Sequence, residues 1–196
     1  ARRVLSSEVL QALDIPALAA PEKIANGQVA HIATGLLHPG LERLLAVRQV
    51  IGLRTPGHSL VKLLAPSQGP AVLVGSYTHP EYVELMLQTL AQRKMYAVLS
   101  RGLEGEVACD PRRQPRYDGV LAGEPLVLAE QQSGTAAEVP GLPSAIDVAS
   151  TAAYTRSVLA GALPVPAALA QQVRLIVGVA QRALDASSSL AVAPAA

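Results

Sequence analysis

The sequence predicts an α/β fold, and three observations carry that prediction. Two short β-rich runs, Ala71 to Gly75 and Met95 to Ser100, bracket a segment whose apolar residues Val83, Met86, Leu87 and Leu90 recur at i, i+3, i+4 and i+7. Strand, helix and strand at this spacing form a βαβ unit, whose crossover is expected to be right-handed. Two further strand candidates, Gly119 to Ala122 and Pro125 to Ala129, are separated by Gly123-Glu124, a hairpin signal.

Each element has a local reason. Ser6 or Ser7 can cap a short helix to about Leu13, and Ile15-Pro16 then enforces an extended or turn conformation. A second helix is expected from Pro21, and Val29 to Leu37 reads equally as a strand or a helical segment. After His38-Pro39-Gly40, the positions Leu41, Leu44, Leu45 and Ile51 share one helical face that Gly52 terminates. Thr78 and Glu81 are spaced as a capping box for the central helix. Gln131 to Pro143 reads as a loop. Ser144 and Asp147 form a second capping box, opening a helix with Val148, Ala152, Thr155 and Leu159 aligned and Gly161 as its stop. The last helix starts near Pro166 and presents Val173, Ile176, Val177, Ala180 and Leu184. One domain is expected over 1–185, with a disordered Ser-Ala-Pro tail over 186–196.

Composition limits the functions available. Of 196 residues, 50% are hydrophobic and 16% charged, with no Phe, no Trp and five Tyr. The core must be aliphatic, and aromatic stacking platforms for single-stranded nucleic acid are disfavoured. The net charge is +1, but residues 1–116 carry thirteen Lys/Arg against nine Asp/Glu, and residues 117–196 carry three against six. An anionic partner is therefore expected at the first part. No apolar run approaches the roughly 18 residues needed to cross a bilayer, so no membrane partner is expected. Cys109 is the single cysteine, which excludes an intramolecular disulfide and fits a reducing, cytoplasmic setting. The chain opens on Ala1-Arg2-Arg3 without Met or an apolar h-region, and is expected to be a fragment of a longer chain.

The phosphate loops, dinucleotide fingerprint, nucleophile elbow and HExxH zinc motif are all absent. His31, His38, His58 and His79 lack the spacing of helical metal ligands, and His58 and His79 suit structural backbone hydrogen bonds. Arg48, Arg54 and Lys62 flank the Gly52 to Ser59 turn, where Thr55, Gly57 and Ser59 add hydroxyls and permissive backbone. That pattern suits a phosphate or carboxylate, and equally the solvated end of a helix. Arg101 and Glu104-Gly105-Glu106 follow the second β-run, at the strand end where open α/β sheets place ligands. Glu104 and Glu106 could hold Mg²⁺ through one or two carboxylates. Arg112, Arg113 and Arg116 read as a solvated basic loop or as contacts to a nucleic-acid backbone.

Read in order, Ser6-Ser7-Glu8-Val9-Leu10-Gln11-Ala12-Leu13, Leu37-His38-Pro39, Val47 to Thr55 and Val74-Gly75-Ser76-Tyr77 resemble the "SxxVLxALG", "HP", "VRxxLGxRT" and "VGVY" segments of anthranilate phosphoribosyltransferases. Gly52 to Pro66 and Ser76 to Tyr82 are closer still to the diverged, TrpD2-like branch of family 3 glycosyltransferases. The resemblance implies a nucleoside-phosphorylase-type α/β domain, with a central sheet flanked by helices. It also implies an N-terminal helical domain, missing from this chain together with the family's "GTGGD" loop, through which the protein forms a homodimer. It further implies transfer of phosphoribosyl from phosphoribosyl pyrophosphate to a nitrogen acceptor, with Mg²⁺ and Arg48 facing an acidic acceptor. The substrate-binding set is then expected to be Arg48, Arg54, His58 and Lys62.

Two departures bear on that implication. Pro56 to Lys62 replaces the family's "FNxLGP", and the family's Asp-Glu magnesium pair falls on Val107 and Ala108, leaving Glu104 and Glu106 as substitutes. The alternative function is a catalytically retired member that binds DNA or RNA phosphate non-specifically through Arg93, Lys94, Arg101, Arg112, Arg113 and Arg116.

Overall fold

The computed structural model describes residues 4–102 and 106–192. The chain divides into two compact units, Ala1–Val61 with Pro140–Val165, and Lys62–Val139 with Pro166–Ala196, where the sequence suggests one domain over 1–185.

The first unit is helical: α1 (Ser6–Ala12), α2 (Thr34–Leu37), α3 (Pro39–Ile51), α4 (Gly57–Leu60) and α6 (Val148–Leu159). α1 packs on α6, and the Arg156 guanidinium donates to the Ala12 carbonyl at the end of α1. The expected serine cap of α1 is replaced by a reversed one. Leu5 takes the cap position, and its N–H donates to Glu8 Oε2 at 3.0 Å. No helix starts at Pro21; the backbone there is irregular and turns at Gly27, and Ala17 and His31 form an isolated parallel bridge.

α3 begins with a double signal. Pro39 occupies the first helical turn, where its missing N–H costs nothing, and His38 Nδ1 accepts from the Leu41 N–H at 3.0 Å. Gly52, at φ 72°, ends it in the left-handed conformation as its sequence position predicts. The expected apolar face is only partly covered, since Leu41 is buried while Leu44 and Ile51 are exposed. At α6 the expected Ser144 box gives way to Asp147 itself, whose Oδ1 accepts from the Ser150 N–H at 2.7 Å. Asp147 is the shorter route to the first free N–H groups, and those contacts hold its carboxyl below the usual carboxylate range. Leu159, expected on the covered face, is exposed.

The second unit is the α/β part. It comprises β1 (Val72–Tyr77), α5 (Glu81–Gln92), β2 (Tyr96–Arg101), β3 (Tyr117–Leu121), β4 (Glu124–Ala129) and α7 (Ala167–Val192). The sheet order is β1-β2-β3-β4, with β1 and β2 parallel and the other pairs antiparallel. The predicted βαβ unit is therefore present, followed by the predicted hairpin. Its turn is Ala122-Gly123, one residue earlier than expected, because Leu121 pairs with Glu124 and both turn residues have positive φ. The Thr78-Glu81 box does not form, since α5 starts directly after Pro80.

β2 is buried on both faces. Ala97 and Leu99 join Leu73, Tyr77, Met86, Leu90 and Val120 against α5, while Val98 joins Cys109, Tyr117, Ala168 and Val179 against α7. The alternation of side chains along a strand divides these residues between the two clusters. α7 buries Ala168, Gln172, Val179 and Ala183, whereas Val173, Val177 and Leu184, expected on its covered face, are exposed. Alanine at 168 and 183 lets the helix lie close on the sheet, and the larger residues one or five positions along turn outward. α7 also continues to Val192 through the expected tail, with Ser187 and Ser188 hydroxyls bonding back to the Ala183 and Leu184 carbonyls. Among the described residues, no helix is long and apolar enough to cross a membrane.

Candidate functional site

The four predicted substrate-binding residues are divided between the units. In the first, Arg48 lies exposed in the last turn of α3, and its carbonyl accepts the Gly52 N–H at 2.9 Å. Arg54 is exposed in the turn after that helix. His58 closes that turn locally: its Nδ1 lies 3.1 Å from the Thr55 N–H that donates to it. Gly57 is buried against Leu44, where a β-carbon would collide with the Leu44 side chain.

In the second unit, Lys62 reaches the end of β1. Its Nζ donates to the Ser76 carbonyl at 2.8 Å and lies 3.4 Å from Ser76 Oγ. Ser76 is buried beside Tyr77, which is paired with Arg101 at the ends of the parallel strands β1 and β2. Beyond these ends lies a cleft of about 280 Å³, lined by Tyr77, Arg101, Glu106, Asp110, Arg113 and Arg116 among others. Gly102 ties the two strand ends together. Its N–H donates to the Tyr77 carbonyl at 2.9 Å, and a β-carbon there would strike the Glu106 carbonyl.

The cleft gathers Arg101, Arg113, Arg116 and Glu106 from the sequence-predicted sets. It excludes Arg93 and Lys94, which close α5 ahead of β2, beside the β3-β4 turn at Gly123. A six-residue strand separates those two residues from Arg101, roughly 17 Å. The six basic residues therefore do not form one patch. Glu104 lies outside the described residues. Val107 and Ala108, where the sequence resemblance puts the magnesium pair of anthranilate phosphoribosyltransferases, are exposed. Among the described residues no group of three His, Cys, Asp or Glu could hold a metal ion.

Carboxylates engage the basic loop unevenly. Arg112 pairs with Asp110 through Nε and Nη2, each contact 3.1 Å, and this holds the Asp110 carboxyl below its usual range. Arg116 Nε lies 2.9 Å from the buried Asp118 and Nη1 3.5 Å from Glu130. Arg113 is more loosely held, at 3.9 Å from Asp110, and among the described residues Arg101 forms no ion pair. The two arginines with most donor capacity left are thus 101 and 113, both on the cleft. Guanidinium groups so placed suit a phosphate or carboxylate bound at two points. Burial, and next the charge of Asp118, raise the Tyr77 phenol, so it stays a neutral hydrogen-bonding group at the cleft wall.

Sequence reasoning missed Asp110, Asp118 and Tyr77. The Arg116-x-Asp118 spacing was the available signal, because alternate residues approaching and entering β3 share a face.

No protein-family model matches the chain. It is similar to the uncharacterized protein YbiB of Escherichia coli (strain K12), at 32% identity over 194 residues, 96% of this chain and 60% of that protein. It is also similar to anthranilate phosphoribosyltransferases of Pelodictyon phaeoclathratiforme, at 33% over 107 residues, and of Verminephrobacter eiseniae, at 34% over 90 residues. These matches cover 50% and 43% of this chain, and 30% and 26% of the enzymes. The chain spans less than two thirds of each relative. It is an α/β protein related, at modest identity and over part of their length, to anthranilate phosphoribosyltransferases.

Proposed function

We propose that this chain belongs to a phosphoribosyltransferase-like protein and that the cleft beyond β1 and β2 takes the phosphates of phosphoribosyl pyrophosphate. The observation that carries this reading is the convergence of Arg101 and Arg113 on a cleft at the carboxyl ends of parallel strands. In transfer to a nitrogen acceptor, the bond from the anomeric carbon to pyrophosphate breaks and negative charge develops on the departing group. Positioned guanidinium groups stabilise that charge without reorganising. Arg48 is in this reading the expected partner of an acidic acceptor, and Lys62 is held at the end of β1 by the Ser76 carbonyl.

Mg²⁺ would supply further neutralisation of the pyrophosphate. The described residues do not make up a site for it, with Glu106 the one described carboxylate from the predicted pair, so no step is assigned to the metal. Calorimetric titration of phosphoribosyl pyrophosphate into the full-length protein, with and without Mg²⁺, tests the reading. Saturable binding supports it, and no binding by a folded protein removes it.

A second reading is favoured by Val107 and Ala108 standing where the related enzymes carry their acidic pair. In it the protein is a retired transferase whose cleft-side arginines bind nucleic-acid phosphate. DNA affinity should then fall with salt at a log-log slope of about −0.9 per phosphate neutralised. Salt-insensitive or absent DNA binding counts against it.

A further inference from the structure

Gln172 is a buried polar residue on a helix that otherwise buries small apolar side chains. It is 3% exposed, and both ends of its amide are used by a segment more than sixty residues away in sequence. Its Oε1 accepts from the Cys109 N–H at 3.0 Å, and its Nε2 donates to the Val107 carbonyl at 2.8 Å. The two backbone groups lie on either side of Ala108, in the segment that joins Glu106 to Asp110. Both of those acids line the cleft, and Asp110 fixes Arg112 and approaches Arg113.

We infer that Gln172 is a positioning residue for the cleft: α7 grips the 107–109 backbone through this one amide and so sets the placement of Glu106, Asp110 and Arg113. The inference rests on the cleft being the phosphate site. The chemistry favours a specific brace over generic packing. Cys109 is buried outside regular structure, so its N–H needs a partner, and the Gln172 amide offers a donor and an acceptor at a fixed spacing that serves this N–H and the Val107 carbonyl together. On the far side the loop is secured independently, since the Ala136 N–H donates to the Arg112 carbonyl at 2.7 Å. Release at Gln172 therefore frees the 106–110 stretch, and with it the Asp110 carboxylate that approaches Arg113, without unfolding the chain beyond Arg112.

The test measures the dissociation constant of inorganic pyrophosphate by calorimetry in the full-length protein, alongside the thermal midpoint. Gln172→Leu removes both hydrogen bonds at similar volume, and Gln172→Met does so without branching should the leucine variant fail to fold. Val179→Ala is the control, because Val179 is buried on the same helix and in the same cluster as Cys109 but has no polar link to the loop. The brace predicts affinity weakened about tenfold or more in the Gln172 variants and unchanged in Val179→Ala, even where the control melts lower. Folded Gln172 variants with wild-type affinity would overturn the brace while leaving the cleft reading intact. Absence of pyrophosphate binding in the wild type would overturn the cleft reading and the brace together.

Discussion

Asp110 and Arg112 are joined at two points, Oδ1 to Nε and Oδ2 to Nη2, so that the guanidinium and carboxylate planes meet edge to edge. This pair decides which member of the basic loop is available to a ligand. Arg112 is committed to its neighbour two residues away, and Arg113 keeps its donors for the cleft. The Asp110 carboxyl titrates below its usual range because ionisation keeps the Arg112 hydrogen bonds. A depressed native pKa contributes stability that is present above the unfolded carboxylate value and lost as pH falls through the native one. The difference in melting temperature between wild type and Asp110→Asn should accordingly be largest near neutral pH and close in acid. A difference that widened in acid would contradict the pairing.

Gly52 sets the direction in which the chain leaves α3 toward Arg54. Its φ of 72° suits glycine, and a β-carbon there meets nothing within 4 Å, so the cost of substitution is conformational alone. Gly52→Ala should destabilise by about 1 kcal/mol, and Gly52→Asn by less, because asparagine tolerates the left-handed region. Chemical denaturation of both variants measures the order, and an alanine variant as stable as wild type would argue against the left-handed turn.

Leu90 is fully buried between α5 and the sheet. Its truncation to alanine should cost roughly 2–5 kcal/mol, with the upper part of that range expected if the cavity cannot collapse. A urea midpoint within error of wild type would contradict the α5 packing.

Tyr117 is buried without exposure, and among the described residues its hydroxyl has no hydrogen-bond partner. The Cys109 thiol in the same cluster is at most a weak one. Burial raises both groups above their usual titration ranges. Removing the orphaned hydroxyl in Tyr117→Phe should leave stability unchanged or raise it by about 1 kcal/mol. A clear loss would reveal a partner for the phenol.

The βαβ unit was legible because its signals are local: the i, i+3, i+4, i+7 set on α5 and the short β-rich runs beside it need no tertiary information. Gly52 and the hairpin were legible for the same reason, to within one residue. Helix starts were less so. Leu5 stands at the cap in place of Ser6 or Ser7, with the Glu8 carboxylate accepting its N–H, and Asp147 rather than Ser144 accepts from the first turn of α6, choices that backbone placement and not residue type makes. Of the face expected for α7, Ile176 packs on the core and Ala180 is half-buried, but Val173, Val177 and Leu184 are exposed, because small Ala168 and Ala183 with Gln172 allow the close approach. At the candidate site, strand-end placement pointed to Arg101, and the i to i+2 spacing of Asp110-Arg112 and Arg116-Asp118 offered a local signal for their pairing, but the separation of Arg93 and Lys94 and the Gln172 contacts arise from register and long-range contact.

Everything proposed for the cleft depends on the ligand's phosphates binding at the carboxyl ends of β1 and β2, through Arg101 and Arg113. Two charge-matched double variants of the full-length protein, Arg101→Ala/Arg113→Ala and Arg93→Ala/Lys94→Ala, separate that placement from general electrostatics when their affinities for phosphoribosyl pyrophosphate are compared. Each removes two positive charges, one pair at the cleft and one at the other end of β2. Binding at the cleft requires a loss of about a hundredfold or more in the first, as two charge-assisted hydrogen-bonding groups disappear, and a change of no more than a few-fold in the second. Equal losses in both, or an unchanged affinity in the first, would place the phosphates elsewhere.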